Sequence, residues 1–387
     1  MLQQLCFKTL IGGEMILIQQ GSISLEEILK RFEKEYYSIE VVNYSLGSDC
    51  KNGLIIKVSK QGLASIFLLV IPCIDGHVKV SVLKVSDGSI IERFTHTKFP
   101  PKDSSDIVCP HFLELKWAYG CPFNCSYCYL QGTLRLLPTQ KRPVRKEIIK
   151  VKHHIISLLS APLNEPEILN SGELCDSLMY EGTELSISSD IIPLFEDTTI
   201  NKNKHRILLV TKSNKIENLL RSQYARCTIA SFSINTERVF TNWEKGTAHP
   251  SSRIKAAKSL FDSGFEVRIR IDPITPYPQE TWKSEYLQLI DEIFKQLWPS
   301  RITLGSLRGL STTLRKAEDK TWINFLEDSS NWGYRPNYKL RFEAYRTMID
   351  YLLYEYDYRD VALCKEPVQM WQDLGMDWRE CRCNCVW

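Results

Sequence analysis

Two rhythms of apolar and polar positions divide the chain. Between residues 21 and 38, Leu25, Ile28, Leu29 and Phe32 recur at helical spacing behind Ser22 and Ser24, which predicts one capped amphipathic helix. Four β-rich runs follow, Leu54–Lys60, Leu63–Ile71, His77–Val85 and Ser89–Phe94, punctuated by Asn52-Gly53, Gln61-Gly62, Asp75-Gly76 and Asp87-Gly88. Such dipeptides supply the positive φ that tight hairpins demand, so an antiparallel meander is expected, devoted to packing or substrate contact. The proline-bearing stretch Phe99–Asp106 reads as the linker out of it. From about residue 107 strands alternate with longer helical patterns, the grammar of a parallel sheet built from βα units. The expected strands are Leu113–Ala118, Glu167–Ser171, Arg206–Thr211, Thr228–Ser233, Glu266–Ile271 and Arg301–Leu304. The fold class is therefore α/β: a partial (β/α)6 barrel over 106–310, an N-terminal antiparallel β-rich domain over 1–105, and a helical, Cys-rich extension over 311–387.

Composition changes this picture little. The 387 residues suffice for two or three domains, and 43% hydrophobic with 25% charged is ordinary for a globular chain. A net charge of +3 with interspersed signs contains no polybasic tract, so nucleic acid is neither implied nor excluded. The longest apolar run, Ile66 to Ile74, is far short of the roughly 20 residues that cross a bilayer. The N-terminus lacks a basic start followed by an unbroken apolar region, Glu14 interrupting it, so no membrane association is expected. Thirteen cysteines, an odd number at metal-like spacings, argue for a reducing cytoplasm rather than a secreted disulfide framework. Cys6, Cys50 and Cys73 read as small buried hydrophobes.

The chemistry concentrates at Gly120-Cys-Pro-Phe-Asn-Cys-Ser-Tyr-Cys-Tyr-Leu130. Cys121, Cys125 and Cys128 offer three thiolates at C-x3-C-x2-C and no fourth within reach, whereas a closed zinc or iron–sulfur site uses four protein ligands. On a 4Fe-4S cluster held this way one iron stays open to a small molecule. A zinc completed by a distant ligand, or three buried core thiols, are the alternatives. The tail adds Cys364 and then Cys381, Cys383 and Cys385, four thiols that fit a second iron–sulfur cluster or a zinc. In an α/β barrel the working residues follow the strands. Those positions hold the triad, Gly172-Glu173, Lys212, Ser233 with Asn235, Asp272 beside Arg270, and Ser306 with Arg308.

The triad, with an aromatic at Tyr127, resembles that of radical S-adenosylmethionine (SAM) enzymes, in which SAM chelates the open iron and is cleaved to a 5′-deoxyadenosyl radical. Cys121-Pro-Phe-Asn-Cys-Ser-Tyr-Cys-Tyr-Leu-Gln-Gly-Thr-Leu134, Val210-Thr-Lys-Ser213, Phe232-Ser-Ile-Asn235, Trp243-Glu-Lys-Gly-Thr247 and Arg253-Ile-Lys-Ala-Ala257 narrow the resemblance to the spore photoproduct lyase family, over roughly 107–310. The resemblance implies that Glu173, after Gly172, meets the SAM amino group, that Lys212 neutralises its carboxylate, and that Ser233 and Asn235 touch ribose and carboxylate. It also implies that Tyr127 and Tyr129 pass a hydrogen atom back to the radical. In this family a cysteine after the second strand, in a stretch like Ala-Cys-Thr-Ser-Asp, quenches the product radical. Here the stretch is Asn170-Ser-Gly-Glu-Leu-Cys-Asp-Ser177; with Asp176 aligned, Glu173 takes the donor position and Cys175, the catalytic expectation, comes two residues late, about 6.5 Å along a strand.

The expected activity is hydrogen abstraction from a nucleobase or nucleoside, as in a DNA photoproduct lyase, fed by a reductant such as flavodoxin or ferredoxin. A radical SAM enzyme that inserts sulfur or oxidises a small molecule or peptide through an auxiliary cluster is the alternative. A non-catalytic iron–sulfur or zinc protein that binds nucleic acid is the alternative from another class.

Overall fold

The computed structural model describes residues 24–42, 54–72, 78–330 and 332–387. The expectations on Cys6, Cys50, Cys73, Ser22, Asn52-Gly53, Asp75-Gly76 and the N-terminal segment lie outside the described residues.

The predicted first helix spans Leu25–Lys34, and Ser24 caps it by accepting the Glu27 N–H at 3.1 Å. One sheet of twelve strands then carries the fold. Its antiparallel part is β1 (Ser38–Val42), β2 (Leu54–Ser59), β3 (Ile66–Pro72), β4 (Val78–Val85) and β5 (Ile91–Arg93). Its parallel part is β6 (Leu113–Leu115), β7 (Ile168–Asn170), β8 (Arg206–Thr211), β9 (Thr228–Ser233), β10 (Glu266–Ile274), β11 (Arg301–Ser306) and β12 (Val361–Leu363). β6 is the junction, antiparallel to β5 and parallel to β7. In β4 the apolar residues Val78, Val80 and Val82 turn inward, the alternation of a strand covered on one face, and a register shift opposite Phe67 and Leu68 precedes the buried Val85. In β9 every residue is buried, as expected of a parallel strand covered on both faces.

Three differences from the sequence reading matter. The predicted strand Leu113–Ala118 stops at Leu115, because Lys116 N–H turns to Ile90 O and Ala118–Tyr119 pairs with Val144–Arg145 instead. β1 and β12 are both absent from the predicted set; β12, with three residues, is too short to show a period of its own, whereas the five residues of β1 alternate and go unread. β12 draws the C-terminal segment into the sheet beside β11, so a single sheet runs through the N-terminal, central and C-terminal segments. The parallel strands follow one another in chain order without reversal, which brings all their carboxyl ends to one rim. Among the described residues no helix is long and apolar enough to cross a membrane.

The tail lies across this sheet. Arg268 Nη1 donates to Asn384 O and Val386 O, both at 2.8 Å, and Arg301 Nη1 to Cys383 O at 3.1 Å and Val386 O at 2.8 Å. The Asn384 side chain, fully buried, accepts from Thr303 Oγ1 at 2.7 Å and donates to Ser231 Oγ at 2.9 Å and Ile269 O at 3.0 Å.

Beside β8 the fully buried His205 accepts the Glu167 N–H on Nδ1 at 2.8 Å, while its Nε2 has no partner. Burial holds its pKa down to about 4. The unfolded chain, titrating near 6.5, binds the proton first, so stability falls as pH drops from about 6.5 to 4, by roughly 3 kcal/mol in all. Urea titrations across this range should show that slope in the wild type and a flatter one in His205→Gln; equal slopes would remove His205 from the account.

Candidate functional site

The cysteine loop is shaped before any ligand arrives. Gly120 has φ +79°, and a Cβ there would stand 2.2 Å from Arg142 O, so the approach to Cys121 requires glycine. Cys121 N–H donates to Lys141 O at 2.9 Å and Cys128 N–H to Cys125 O at 3.1 Å. Asn124–Cys125 pairs antiparallel with Glu244–Lys245, Cys125 opposite Glu244, so the Trp243–Thr247 stretch clasps the loop. Gln131 Nε2 ties the loop's carbonyls at Cys125 and Ser126, at 2.9 and 3.0 Å.

Cys125 is buried, and Cys121 and Cys128 are half-buried. Burial, then Glu244, pushes the Cys125 thiol up to about 12, and burial, Asp176 and the other two thiols push Cys121 up as well. Three thiols that feel one another in a single loop suit a metal cluster, whose binding would release their protons. Among the described residues no three His, Cys, Asp or Glu side chains converge as a lone ion requires. A lone tetrahedral ion needs its sulfurs ~2.3 Å away and nearly touching, whereas a cluster accepts thiolates spread over a larger cage. The donor set fits a cluster.

Cys125 and Cys128 open onto a cavity of about 660 Å³ at the rim of the parallel strands. Gly172, Glu173, Lys212 and Ser233 line it too. A Cβ on Gly172 would meet Val210 Cβ at 2.6 Å, so this glycine lets β7 and β8 close up. Asn170 Nδ2 holds the Glu173 carboxylate at 2.8 Å, and the Tyr129 hydroxyl donates to Glu173 O. Lys212 is steered by a charged cluster beside the loop. Its Nζ lies 3.3 Å from Glu244 Oε1 and 5.9 Å above the centre of the Tyr127 ring, and the Tyr127 hydroxyl donates to Glu244. Arg253 Nη2 approaches Glu244 Oε2 at 2.6 Å, an ion pair whose angle falls short of a hydrogen bond. The same guanidinium donates to Ser233 O at 2.9 Å, Ala248 O at 2.7 Å and Thr247 Oγ1 at 2.6 Å. Burial would raise the Glu244 carboxyl, but Lys212 and Arg253 override it and hold its pKa below the usual range.

The opposite wall carries Arg270, Asp272 and Arg308. Arg308 Nη2 reaches both Asp272 oxygens, at 3.0 and 2.9 Å, and Arg270 Nη2 reaches Oδ2 at 3.2 Å. Burial pushes Asp272 up, yet Arg308 and Arg270 bring its carboxyl down to about 2. Farther out Phe94 stacks on Phe112 with centroids 5.0 Å apart, and Lys365 Nζ sits 4.8 Å from the Phe94 ring and 4.5 Å from that of Trp332.

Four expected site residues do not reach the cavity wall, the half-buried Cys121 among them. Cys175 is packed in the main core, its thiol donating to Ser171 O at 3.4 Å, and is not part of the cavity lining. Asn235 is fully buried, donating to Pro273 O at 2.8 Å and accepting from Tyr286 OH at 3.1 Å. Cys381 lies outside the lining, while Cys364, Cys383 and Cys385 are part of it. Sequence reasoning passed over Cys109, which also lines the cavity, and left Glu244 and Arg253 without roles although both stand in the quoted stretches. A cysteine twelve residues before the triad was the available signal for Cys109.

Comparison with known proteins places these features in a lineage. The family model described as spore photoproduct lyase matches residues 111–305. A spore photoproduct lyase of Clostridium acetobutylicum is 27% identical over 217 residues, covering 52% of this chain and 58% of the relative. One from Geobacillus sp. is 28% identical over 197 residues, covering 50% and 54%. The chain spans about half the length of the curated relatives it matches. Among solved structures, a spore photoproduct lyase complexed with dinucleoside spore photoproduct superposes with a TM-score of 0.53 at 21% identity, covering 68% of this chain and 77% of that one, a likeness of fold. With the family model spanning half of its length, from before the cysteine triad to the sixth parallel strand, the chain belongs to the spore photoproduct lyase family.

Proposed function

We propose that this protein is a radical SAM enzyme acting on a nucleobase or nucleoside, in the manner of a photoproduct lyase. The observation that carries the reading is the convergence of Cys125, Cys128, Glu173 and Lys212 on one cavity at the strand rim. A 4Fe-4S cluster on Cys121, Cys125 and Cys128, with SAM on its open iron, supplies a 5′-deoxyadenosyl radical able to take hydrogen from carbon.

The chain's own residues bind and orient. Glu173, held by Asn170, presents a carboxylate to an ammonium, and Lys212 presents an ammonium to a carboxylate. Ser233 offers a hydroxyl to a ribose. Tyr127 and Tyr129 line the same cavity with their hydroxyls anchored on Glu244 and Glu173, a placement consistent with a hydrogen relay. Phe94, Phe112 and Lys365 suit a base and its phosphate, and the relative complexed with dinucleoside spore photoproduct agrees with a base-sized substrate. In this division of labour 106–310 forms the curved partial barrel, 311–387 closes it with a thiol-rich metal site, and 1–105 extends the sheet. The enzyme works in a reducing cytoplasm with flavodoxin or ferredoxin as electron donor.

A second reading is favoured by the thiols that line the cavity: a radical SAM modifying enzyme that uses an auxiliary cluster. Anaerobic, reduced protein incubated with SAM should form 5′-deoxyadenosine, and added dinucleoside spore photoproduct should yield the repaired dinucleoside. Formation of 5′-deoxyadenosine without repair would favour the modifying enzyme. None at all would leave the non-catalytic nucleic-acid-binding protein.

A further inference from the structure

We propose that Cys109, Cys364, Cys383 and Cys385 hold a second iron–sulfur cluster, closed by four thiolates, in the wall of the cavity, and that Cys381 is not one of its ligands. The inference deepens the reading above and rests on it for the first cluster alone.

Three distant stretches deliver these thiols to one surface. Cys109 arrives just before β6, on a segment that runs beside the strand exit of β12: Val108 N–H donates to Glu366 O at 2.9 Å, Val368 N–H to Asp106 O at 3.0 Å, and Ile107 bridges Pro367. In this antiparallel register Cys109 falls opposite Lys365, the residue after Cys364. Cys364 is itself tied to β11 by its N–H to Leu304 O at 2.7 Å. Cys383 and Cys385 flank Asn384, whose buried amide is locked to Thr303, Ser231 and Ile269, so their positions are fixed by the sheet. All four line the cavity.

The surroundings are those of anionic sulfur. Arg270 donates from Nη1 to Cys385 Sγ at 3.6 Å and from Nη2 to Cys364 Sγ at 3.5 Å, so one guanidinium reaches two of the thiols. Arg308 Nη2 approaches Cys364 Sγ at 3.7 Å, and Asn170 Nδ2 approaches Cys385 Sγ at 3.7 Å. Both arginines share Asp272 as their ion-pair partner. Two half-buried cations on one carboxylate leave positive charge to be balanced, and thiolates with cluster sulfides would balance it. Neutral core thiols would have no use for such a shell. Cys381 comes within reach of Cys383 but lies outside the cavity wall and half-buried. With four thiolates the second cluster has no open iron, unlike the first.

The test uses the full chain, purified and reconstituted anaerobically, with C121A, C125A and C128A combined to delete the first site. This variant should retain roughly two to four iron atoms and as many labile sulfides per chain, the content of one cluster on four cysteines. Adding C109S, or separately C364S, should remove both; adding C381S should leave both. Far-ultraviolet circular dichroism and gel filtration establish that each variant is folded. An iron-free triple variant, zinc in place of iron, or loss on C381S with retention on C109S would overturn the proposal. Mössbauer spectra of the wild type give a check without substitutions: SAM should alter about one iron in six to eight, the open iron of the first cluster. If about one iron in four responds, the second cluster is refuted; if none responds while two clusters are counted, the SAM reading fails and the second cluster stands.

Discussion

Alanine in place of Cys125 is expected to reduce 5′-deoxyadenosine formation to the detection limit while leaving the fold in place. The backbone pairing of Asn124–Cys125 with Glu244–Lys245 does not use the thiol, and Gln131 holds the loop through carbonyls. What disappears is one of three ligands in a site that already has an open position, and two thiolates do not hold a cluster there. Cys175→Ala is the matched comparison. Its thiol faces the core and touches Ser171 O, so it should cost about 1 kcal/mol of stability and change 5′-deoxyadenosine formation by less than about twofold. The measurement is product quantitation by chromatography on folded, reconstituted protein. Turnover in Cys125→Ala, or a dead but folded Cys175→Ala, would reverse the assignment of the two thiols.

The second large effect concerns Glu244. It is fully buried, pairs with a fully buried Arg253 and with Lys212, and receives the Tyr127 hydroxyl. Glu244→Ala strands the Arg253 charge in the interior, which should cost about 3–5 kcal/mol. The Glu244–Arg253 pair joins the back of the cysteine loop to the end of β9, through Ser233 O, so local damage reaches the cavity. In the double variant Glu244→Ala, Arg253→Met the stranded charge is gone, and part of the loss should return. Urea unfolding of the two single variants and the double variant gives the coupling directly. A loss below about 1 kcal/mol for Glu244→Ala, or strict additivity, would show the pair to be solvated in practice.

Much of the fold was legible because its signals are local. Helical spacing located Leu25–Lys34, and the turns at Gly62 and Gly88, both at positive φ, separate β2 from β3 and β4 from β5. The strands Arg206–Thr211 and Thr228–Ser233 have the bounds the sequence predicted, because short β-rich runs between helical patterns mark the strands of βα units. β12 was hidden, since a strand of three residues carries no period and is defined by the neighbour it pairs with. The site divides in the same way. Glu173 and Lys212 could be read as rim residues because they follow strands, but Asn235, two residues past β9, turns into the core to satisfy Pro273 and Tyr286. Cys175 was legible as a cysteine near the right strand, and not as one facing away from the cavity.

By itself the sequence determined that Cys121, Cys125 and Cys128 are neighbours, since so short a loop cannot separate them by more than a few residues' reach whatever the fold. It also determined that β-rich and βα-patterned halves succeed one another along the chain. The tertiary structure alone decided which thiols share a wall, because Cys109, Cys364, Cys383 and Cys385 meet only through the pairing of residues 106–108 with 366–368 and the docking of Asn384 on the sheet. Spacing along a chain governs contacts within a loop or a turn; contacts between segments hundreds of residues apart depend on strand order and register, which the packing of the whole core selects.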